Sequence, residues 1–268
     1  MAIDVAEQAN RQASLPLPIW SDHKRGVPNV IARSALFRVG STKTKREYLE
    51  SQEIASYGKT GKITYTGFEL RQDDADVFLQ LIHLQRMSSF EDGVEFLTTP
   101  MLKVLGRSQN SIYTEKLKKC LVRLQATALV VESTEAEGRS IGYSGSLVSR
   151  FSWRDESGEP RRSWRVWFDP KIVSLFDWAA YSQFDWQTRI KLGPLAKWLH
   201  LNYSTHKKPL PLKCETLMYA CGSSMKQLKH FRQELNQAGR ELVELGFLES
   251  FCIDPKRDVF VVARAISK

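Results

Sequence analysis

The chain lacks the apolar run that a membrane span requires, since no stretch approaches about 18 consecutive apolar residues. Its first residues contain neither the basic segment nor the apolar segment of a signal peptide. The four cysteines, Cys120, Cys214, Cys221 and Cys252, include no Cys-x-x-Cys pair, which argues against a zinc site or a disulfide framework. We therefore expect a globular, cytoplasmic protein with reduced thiols.

Signatures of catalysis are missing as well. Gly58-Lys59-Thr60 resembles the end of a Walker loop, but Glu53 stands where that motif needs a glycine. The five histidines include no His-x-His pair of the kind with which DNA-nicking enzymes hold a metal. Asp73, Asp74 and Asp76 begin a predicted helix, where they complement its dipole more simply than they hold a cation. We expect no enzyme activity, no cofactor and no metal.

Positive charge is what the chain has in excess. It carries 39 Lys and Arg against 30 Asp and Glu, a formal net charge of +9. Such a balance favours a polyanionic partner, although a basic surface can also serve solubility alone. The charge therefore needs a structural context before it indicates a function.

That context is found in residues 210–262. The pattern predicts a short helix, a break at 221–224, a longer amphipathic helix and two β-rich runs at 247–253 and 259–262. Apolar residues recur along the longer helix at three- and four-residue steps, and basic residues follow its other face near the N-terminal end. This order is typical of a winged helix, whose second helix lies in the DNA major groove.

The same order occurs earlier in the chain. A helix at 73–86 is followed by a short helix at 98–105, a turn, a helix at 111–125 and three β-rich runs at 129–131, 147–153 and 164–168, which could form one large wing. A further helix is expected at 186–203. The sequence thus predicts an α+β fold: a short, flexible leader (1–29), followed by two tandem winged-helix domains (30–179 and 180–268).

The start of each second helix is placed to reach base edges and phosphates. The candidate DNA-binding residues are Asn110, Ser111, Lys116, Lys119 and Arg123 in the first domain, and Ser224, Lys226, Gln227, Lys229 and Arg232 in the second. The acidic segment 132–138 would repel phosphates, so we expect it to point away from DNA.

Four segments, 32–37, 62–74, 123–128 and 211–217, resemble the TrfA family of plasmid replication initiators. The resemblance implies tandem winged helices that bind directly repeated sites, called iterons, in duplex origin DNA. It also implies opening of the adjacent AT-rich DNA, recruitment of the host initiator DnaA and the replicative helicase, and exchange between monomer and dimer. It supports roles in DNA contact for Lys226, Lys229 and Arg232.

Residues 12–17 resemble the Gln-x-x-Leu-x-Leu peptide that binds the bacterial β sliding clamp. Gln12 would offer an amide to the rim of the pocket, Leu15 and Leu17 would fill it, and Ser14 lies between them. We take these four residues as candidate clamp contacts. Trp20 either adds contact area or anchors the leader to the body of the protein.

Two other functions compete with the initiator hypothesis. A winged-helix transcriptional repressor would bind a palindrome as a stable dimer. A replisome adaptor would depend on the clamp peptide, and its contact with DNA would be incidental. Loss of the basic residues would abolish the activity of an initiator or a repressor but spare that of an adaptor.

Overall fold

The computed structural model describes residues 17–18, 20–41, 43–57, 61–134, 140–154, 160–170, 176 and 181–265. Helices and strands alternate in an α+β arrangement. Two clusters of buried apolar side chains organise the fold. One cluster comes mainly from residues 17–186 and the other mainly from residues 192–260, so the chain has an N-terminal and a C-terminal unit.

The N-terminal unit is centred on a buried helix, α2. The elements of this unit are β1 (Lys24–Pro28), α1 (Asn29–Ala32), β2 (Phe37–Arg38), β3 (Tyr48–Tyr57), β4 (Gly61–Phe68), β5 (Leu70–Arg71), α2 (Gln72–Gln85), β6 (Val94–Leu97), α3 (Thr98–Val104), α4 (Ser111–Gln125), β7 (Ala128–Thr134), β8 (Ser140–Gly145), β9 (Arg150–Arg154) and β10 (Pro160–Trp167). In the described part of the chain, β3, β4, β7 and β8 form an antiparallel sheet in that order. A second antiparallel sheet has the order β6-β10-β9.

The C-terminal unit is built around the long amphipathic helix α8. Its elements are α6 (Pro194–Ser204), β12 (Leu212–Lys213), α7 (Cys214–Ala220), α8 (Leu228–Glu244), β13 (Leu248–Asp254) and β14 (Val259–Arg264). β11 (Tyr181–Asp185) and α5 (Trp186–Lys191) connect the two units, and Phe184 and Trp186 belong to the N-terminal cluster. α8 buries Phe231, Leu235 and Leu242 and packs against α6 and β13. At Gly239 a Cβ atom would lie 2.6 Å from the Phe251 ring, so only glycine permits this close approach.

The two units share one plan. Apart from β7 and β8, which are inserted after α4 and belong to the four-stranded sheet, the order β6, α3, α4, β9, β10 matches the order β12, α7, α8, β13, β14. In both units the strand before the first helix pairs with the last strand of the hairpin, β6 with β10 and β12 with β14. Gly106 and Gly222 lie just after α3 and α7 with φ of +66° and +60°, a backbone conformation that favours glycine. The copies match in architecture, as the element order predicts.

The single large wing predicted for the N-terminal unit is wrong. β7 pairs with β4, Val131 opposite Ile63, and so belongs to the four-stranded sheet. β9 and β10 pair with each other and, through β10, with β6. The pattern of each run identifies a strand but not its partner, which lies far away in the sequence. Part of the acidic segment, 135–138, lies outside the described residues, and the direction of the segment stays a prediction.

Two boundaries also differ from the expectation. The helix predicted over 186–203 is divided into α5 and α6, because Pro194 opens α6 and the N–H of Gly193 donates to Glu241 Oε2 at 2.7 Å. Within the predicted leader, β1 pairs antiparallel with β11. Residues 24–28 are therefore part of the fold, which their own sequence could not reveal without the partner strand.

A buried ion cluster joins the two units. Asp76 of α2 is held by Arg189 of α5, Nε to Oδ1 at 2.9 Å, and by Lys197 of α6. Nearby, Trp198 Nε1 donates to the carbonyl of Ser34 at 3.0 Å. Because these contacts connect α2 and the turn after α1 to α5 and α6, buried polar groups hold the units together.

His200 makes the stability of this fold depend on pH. The ring is 1% exposed and lies against Phe184 and Phe247, with ring centroids 5.6 and 4.4 Å away. Burial, together with the charges of Arg189 and Arg264, lowers its pKa to about 3. The folded protein therefore holds His200 neutral, whereas the unfolded chain protonates it below about pH 6.5. Stability present above pH 6.5 is lost as the pH falls toward 3, by about 1.4 kcal/mol per pH unit.

Urea unfolding at pH 7.5, 6.5 and 5.5 measures this loss. We expect His200→Gln to make the decline below pH 6.5 less steep without abolishing it, because burial also lowers the pKa of His83 to about 3. His23→Gln, which changes an exposed histidine, is the control. A His200→Gln protein that loses stability as steeply as the parent would contradict the assignment.

Candidate nucleic-acid interface

The N-terminal end of α8 presents an exposed polar and basic surface. Ser224, Lys226 and Gln227 precede the helix, Lys229 lies in its first turn, and all four are exposed. Phe231 turns inward in the same turn, so the amphipathic pattern leaves these residues on the solvent side. The free N–H groups and the dipole of this helix end also favour anions. The structure thus brings together four of the five residues predicted here.

Arg232, the fifth, has a different position. Its guanidinium donates two hydrogen bonds to the carboxylate of Asp258, at 2.7 and 2.8 Å, and the two side chains are about one-third exposed. These bonds are the main cause of the lowered pKa of Asp258. Because Asp258 lies in the turn between β13 and β14, Arg232 ties α8 to the hairpin. We reassign it from DNA contact to the positioning of the hairpin.

The hairpin turn supplies two basic residues that the sequence reasoning missed. Lys256 and Arg257 are exposed in the turn that Arg232 fastens beside α8. Arg257 Nε donates to Asp254 Oδ2 at 2.7 Å, and its side chain is 71% exposed. The turn itself was recognisable from its Asp-Pro start. Its closeness to α8 depends on the ion pair between Arg232 and Asp258, which the sequence does not reveal.

In the N-terminal unit, α4 presents a comparable surface. Ser111, Lys116 and Lys119 are exposed along it. Lys116 Nζ lies 4.6 Å from the centre of the Tyr113 ring. The side chain of Asn110 accepts a hydrogen bond from the Tyr113 N–H at 3.0 Å, so its oxygen caps the helix. Asn110 is therefore the N-cap of α4, and the exposed positive charge of this surface comes from Lys116 and Lys119.

Arg123 lies near the other end of α4 and is held inside the unit. Its Nε and Nη2 donate to Asp74 Oδ1 at 3.1 and 2.6 Å, and the Asp74 side chain is fully buried. Arg46 donates to the same carboxylate at 2.7 Å. The prediction that Arg123 contacts DNA is therefore corrected, because its charge balances a buried carboxylate between α2 and α4.

The clamp-binding prediction also needs a correction. Leu17 is 2% exposed within the N-terminal core, so it cannot at the same time fill a pocket on another protein. Trp20 is buried beside it and its Nε1 donates to His83 Nδ1 at 2.9 Å, which anchors this segment to α2. Gln12, Ser14 and Leu15 lie outside the described residues.

Two other kinds of site are absent from the described residues. No group of three or more His, Cys, Asp or Glu side chains lies close enough there to hold a metal ion. Within the same residues, every helix is too short or too polar to span a lipid bilayer. Asp73, Asp74 and Asp76 are engaged by arginine and lysine side chains instead.

Comparison with known sequences identifies the family. Residues 7–260 match the profile of the family described as TrfA protein. The chain belongs to the TrfA family. A curated relative, the plasmid replication initiator protein TrfA of Escherichia coli, is 36% identical over 233 residues. This match covers 86% of the chain but 59% of the relative, so the chain spans about three-fifths of that protein's length. The resemblance predicted from four short segments is confirmed.

Solved structures show that the fold extends beyond this family. A crystal structure of domains 2 and 3 of RctB, as a selenomethionine derivative, superposes with a TM-score of 0.63 at 13% identity. It covers 90% of the TrfA-family chain and 99% of its own chain. A second RctB structure of the same domains has a TM-score of 0.59 at 12% identity, covering 88% and 96%. At such identities the likeness concerns the fold alone.

Proposed function

We propose that this TrfA-family chain is a plasmid replication initiator that binds iterons in duplex origin DNA. The observation that carries the proposal is the repeated plan of strand, helix, turn, helix and hairpin, with an exposed basic surface on α4 and at the start of α8. Under this proposal both units are winged-helix domains, and α4 and α8 enter major grooves. Membership of the family supports the same function.

The two helices would read different sequences. α4 offers Ser111, Lys116 and Lys119, whereas Lys226, Gln227 and Lys229 lie around the start of α8. Two unlike helices on one chain recognise an asymmetric site of about two helical turns, and the contacts around Asp76 would keep them at a fixed separation. Such a site needs only one chain, so it can be repeated head to tail.

Opening of the origin would follow from chains bound side by side. Each bound chain neutralises phosphates and can bend its site, and the deformation energy is supplied by the protein–DNA contacts. Recruitment of the sliding clamp, DnaA and the helicase would then be a matter of binding, without catalysis by the chain itself. Docking on the clamp through residues 12–17 would require Leu17 to leave the core.

Selection of duplex DNA from a random library, followed by footprinting at two salt concentrations, tests the proposal. We expect one asymmetric site of about 20 base pairs, occupied by one chain and present as direct repeats in an origin. A symmetric site occupied by two chains would identify a repressor instead. Absence of any enriched sequence would favour the protein adaptor.

A further inference from the structure

A cleft of about 470 Å³ lies between α2, α3 and α4 of the N-terminal unit. Its floor is apolar and includes the buried side chains of Val77, Leu102, Leu117 and Cys120. Its rim is basic. The cationic side chains that line it are Lys43, Arg46, Arg107, Lys116, Lys119 and Arg123. The cleft therefore combines a floor that belongs to the N-terminal core with a rim of cationic side chains.

The carboxylates that line this cleft are already neutralised. Asp73 accepts two hydrogen bonds from Arg46, at 2.8 and 2.9 Å. Asp76 is engaged by both Arg189 and Lys197. Neither carboxylate can therefore balance the other cations of the rim, and the field inside the cleft is set by those cations.

Four rim cations have no carboxylate within ion-pair distance in the described part of the chain. They are Lys43, Arg107, Lys116 and Lys119. All four are exposed. Burial lowers the pKa of Lys197 beside the cleft, and the charge of Arg107 adds to that lowering. The crowding of positive charge here would be relieved by an anion placed between these side chains.

We propose that the cleft binds a free nucleotide, with its phosphates on Lys43, Arg107, Lys116 and Lys119 and its base against the apolar floor. The volume lies within the range of about 300–1,000 Å³ that is usual for small-molecule sites. Duplex DNA is the other source of phosphates. Its backbone would meet the outer face of α4, where Lys116 and Lys119 border a groove with Ser111. A nucleotide would use the floor as well as the rim, whereas a duplex would use only Lys116 and Lys119 of the rim.

Calorimetric titration of the full chain with ATP, inorganic tripolyphosphate and adenosine tests this site. We expect ATP to bind at one site per chain, about tenfold or more tighter than either of its parts. Lys43→Ala with Arg107→Ala should weaken ATP binding about tenfold or more. Lys45→Ala with Lys103→Ala is the matched control. It removes the same charge from neighbouring positions that do not line the cleft, and should leave ATP affinity within about twofold.

Three results would overturn the proposal. Tripolyphosphate that binds as tightly as ATP would show that the floor receives no base. Equal losses in the two double variants would show a general attraction of anions to a basic protein. An equal loss on changing Lys226 and Lys229 would place the nucleotide on the DNA-binding surface. Failure of the chain to select a DNA sequence would bear on the proposed function but not on this cleft.

Discussion

Replacing Asp76 by alanine is expected to lower the free energy of unfolding by about 3–5 kcal/mol. The carboxylate is buried between α2 and the helices α5 and α6, and Arg189, which it holds, is fully buried. Lys197 is 7% exposed and binds the other carboxylate oxygen. Removing Asp76 leaves two cations without their counter-ion in a place that water reaches poorly. The cost therefore exceeds that of a lost surface ion pair, which is about 0–1 kcal/mol.

Urea unfolding of the parent, Asp76→Ala and Asp73→Ala measures this difference. Asp73 lies three residues earlier in α2, and its side chain is 27% exposed in a pair with Arg46, so it is the matched control. We expect it to cost about 1 kcal/mol or less. Because Asp76 joins the two units, Asp76→Ala should also separate one unfolding transition into two. Equal, small losses in both variants would contradict this role of the buried cluster.

A triple variant separates the charge from the packing. Asp76→Leu combined with Arg189→Met and Lys197→Met replaces the ion cluster with apolar side chains of similar length. Such replacements are often neutral or stabilising, since no desolvation penalty remains. If Asp76→Ala loses stability and the triple variant recovers it, then the uncompensated cations are the cause of the loss.

Helices with a clear period could be predicted from the sequence closely. The helix expected at 111–125 is α4, with the same bounds. The amphipathic stripe of the other basic helix is the buried side of α8. These features depend on residues within one or two turns of each other, so a local pattern contains the information.

Features that depend on distant partners could not be predicted in this way. β7 is a clear strand, yet only the neighbouring β4 decides that it belongs to the four-stranded sheet. Trp20 bonds to His83, and burial of Leu17 and Trp20 turns an expected flexible segment into part of the core. A pattern along the chain does not encode which distant surfaces meet.

The candidate site also contains some positions that a local pattern predicts and others that depend on distant partners. The exposed positions around the start of α8 follow from the helical period, so Ser224, Lys226 and Lys229 were predictable. The arginines were not, because an acidic partner from elsewhere in the chain decides whether a guanidinium faces solvent. Arg123 is paired with Asp74 and Arg232 with Asp258. Basic residue type alone therefore overestimates the candidate DNA-binding surface.

Replacing both Lys226 and Lys229 by alanine is expected to weaken binding to the selected DNA site about 10- to 100-fold. Both lysines are exposed, and in the described part of the chain neither has a carboxylate partner whose loss would destabilise the fold. The slope of log K against log salt should fall by nearly 2, since each phosphate contact contributes about 0.9. Fluorescence anisotropy over a series of salt concentrations measures both quantities.

Lys207→Ala with Lys208→Ala is the charge-matched control for that measurement. These lysines are exposed in the loop after α6, so the variant loses the same net charge away from α8. We expect it to change affinity about threefold or less through the long-range field alone. Arg232→Ala should behave differently from both, because it frees Asp258 and loosens the hairpin, so stability falls together with affinity.

The way in which affinity is lost then shows what the two lysines contact. If Lys226 and Lys229 bind phosphates, the double variant loses the same factor on the selected site and on random duplex DNA. If either lysine donates to a base edge, the selected site loses an additional 1–3 kcal/mol, about 5- to 150-fold, and discrimination declines with it. Unchanged affinity for both DNAs would exclude α8 as a reading helix. The DNA-binding role would then have to rest on α4 alone, and a single reading helix does not explain an asymmetric site of two turns.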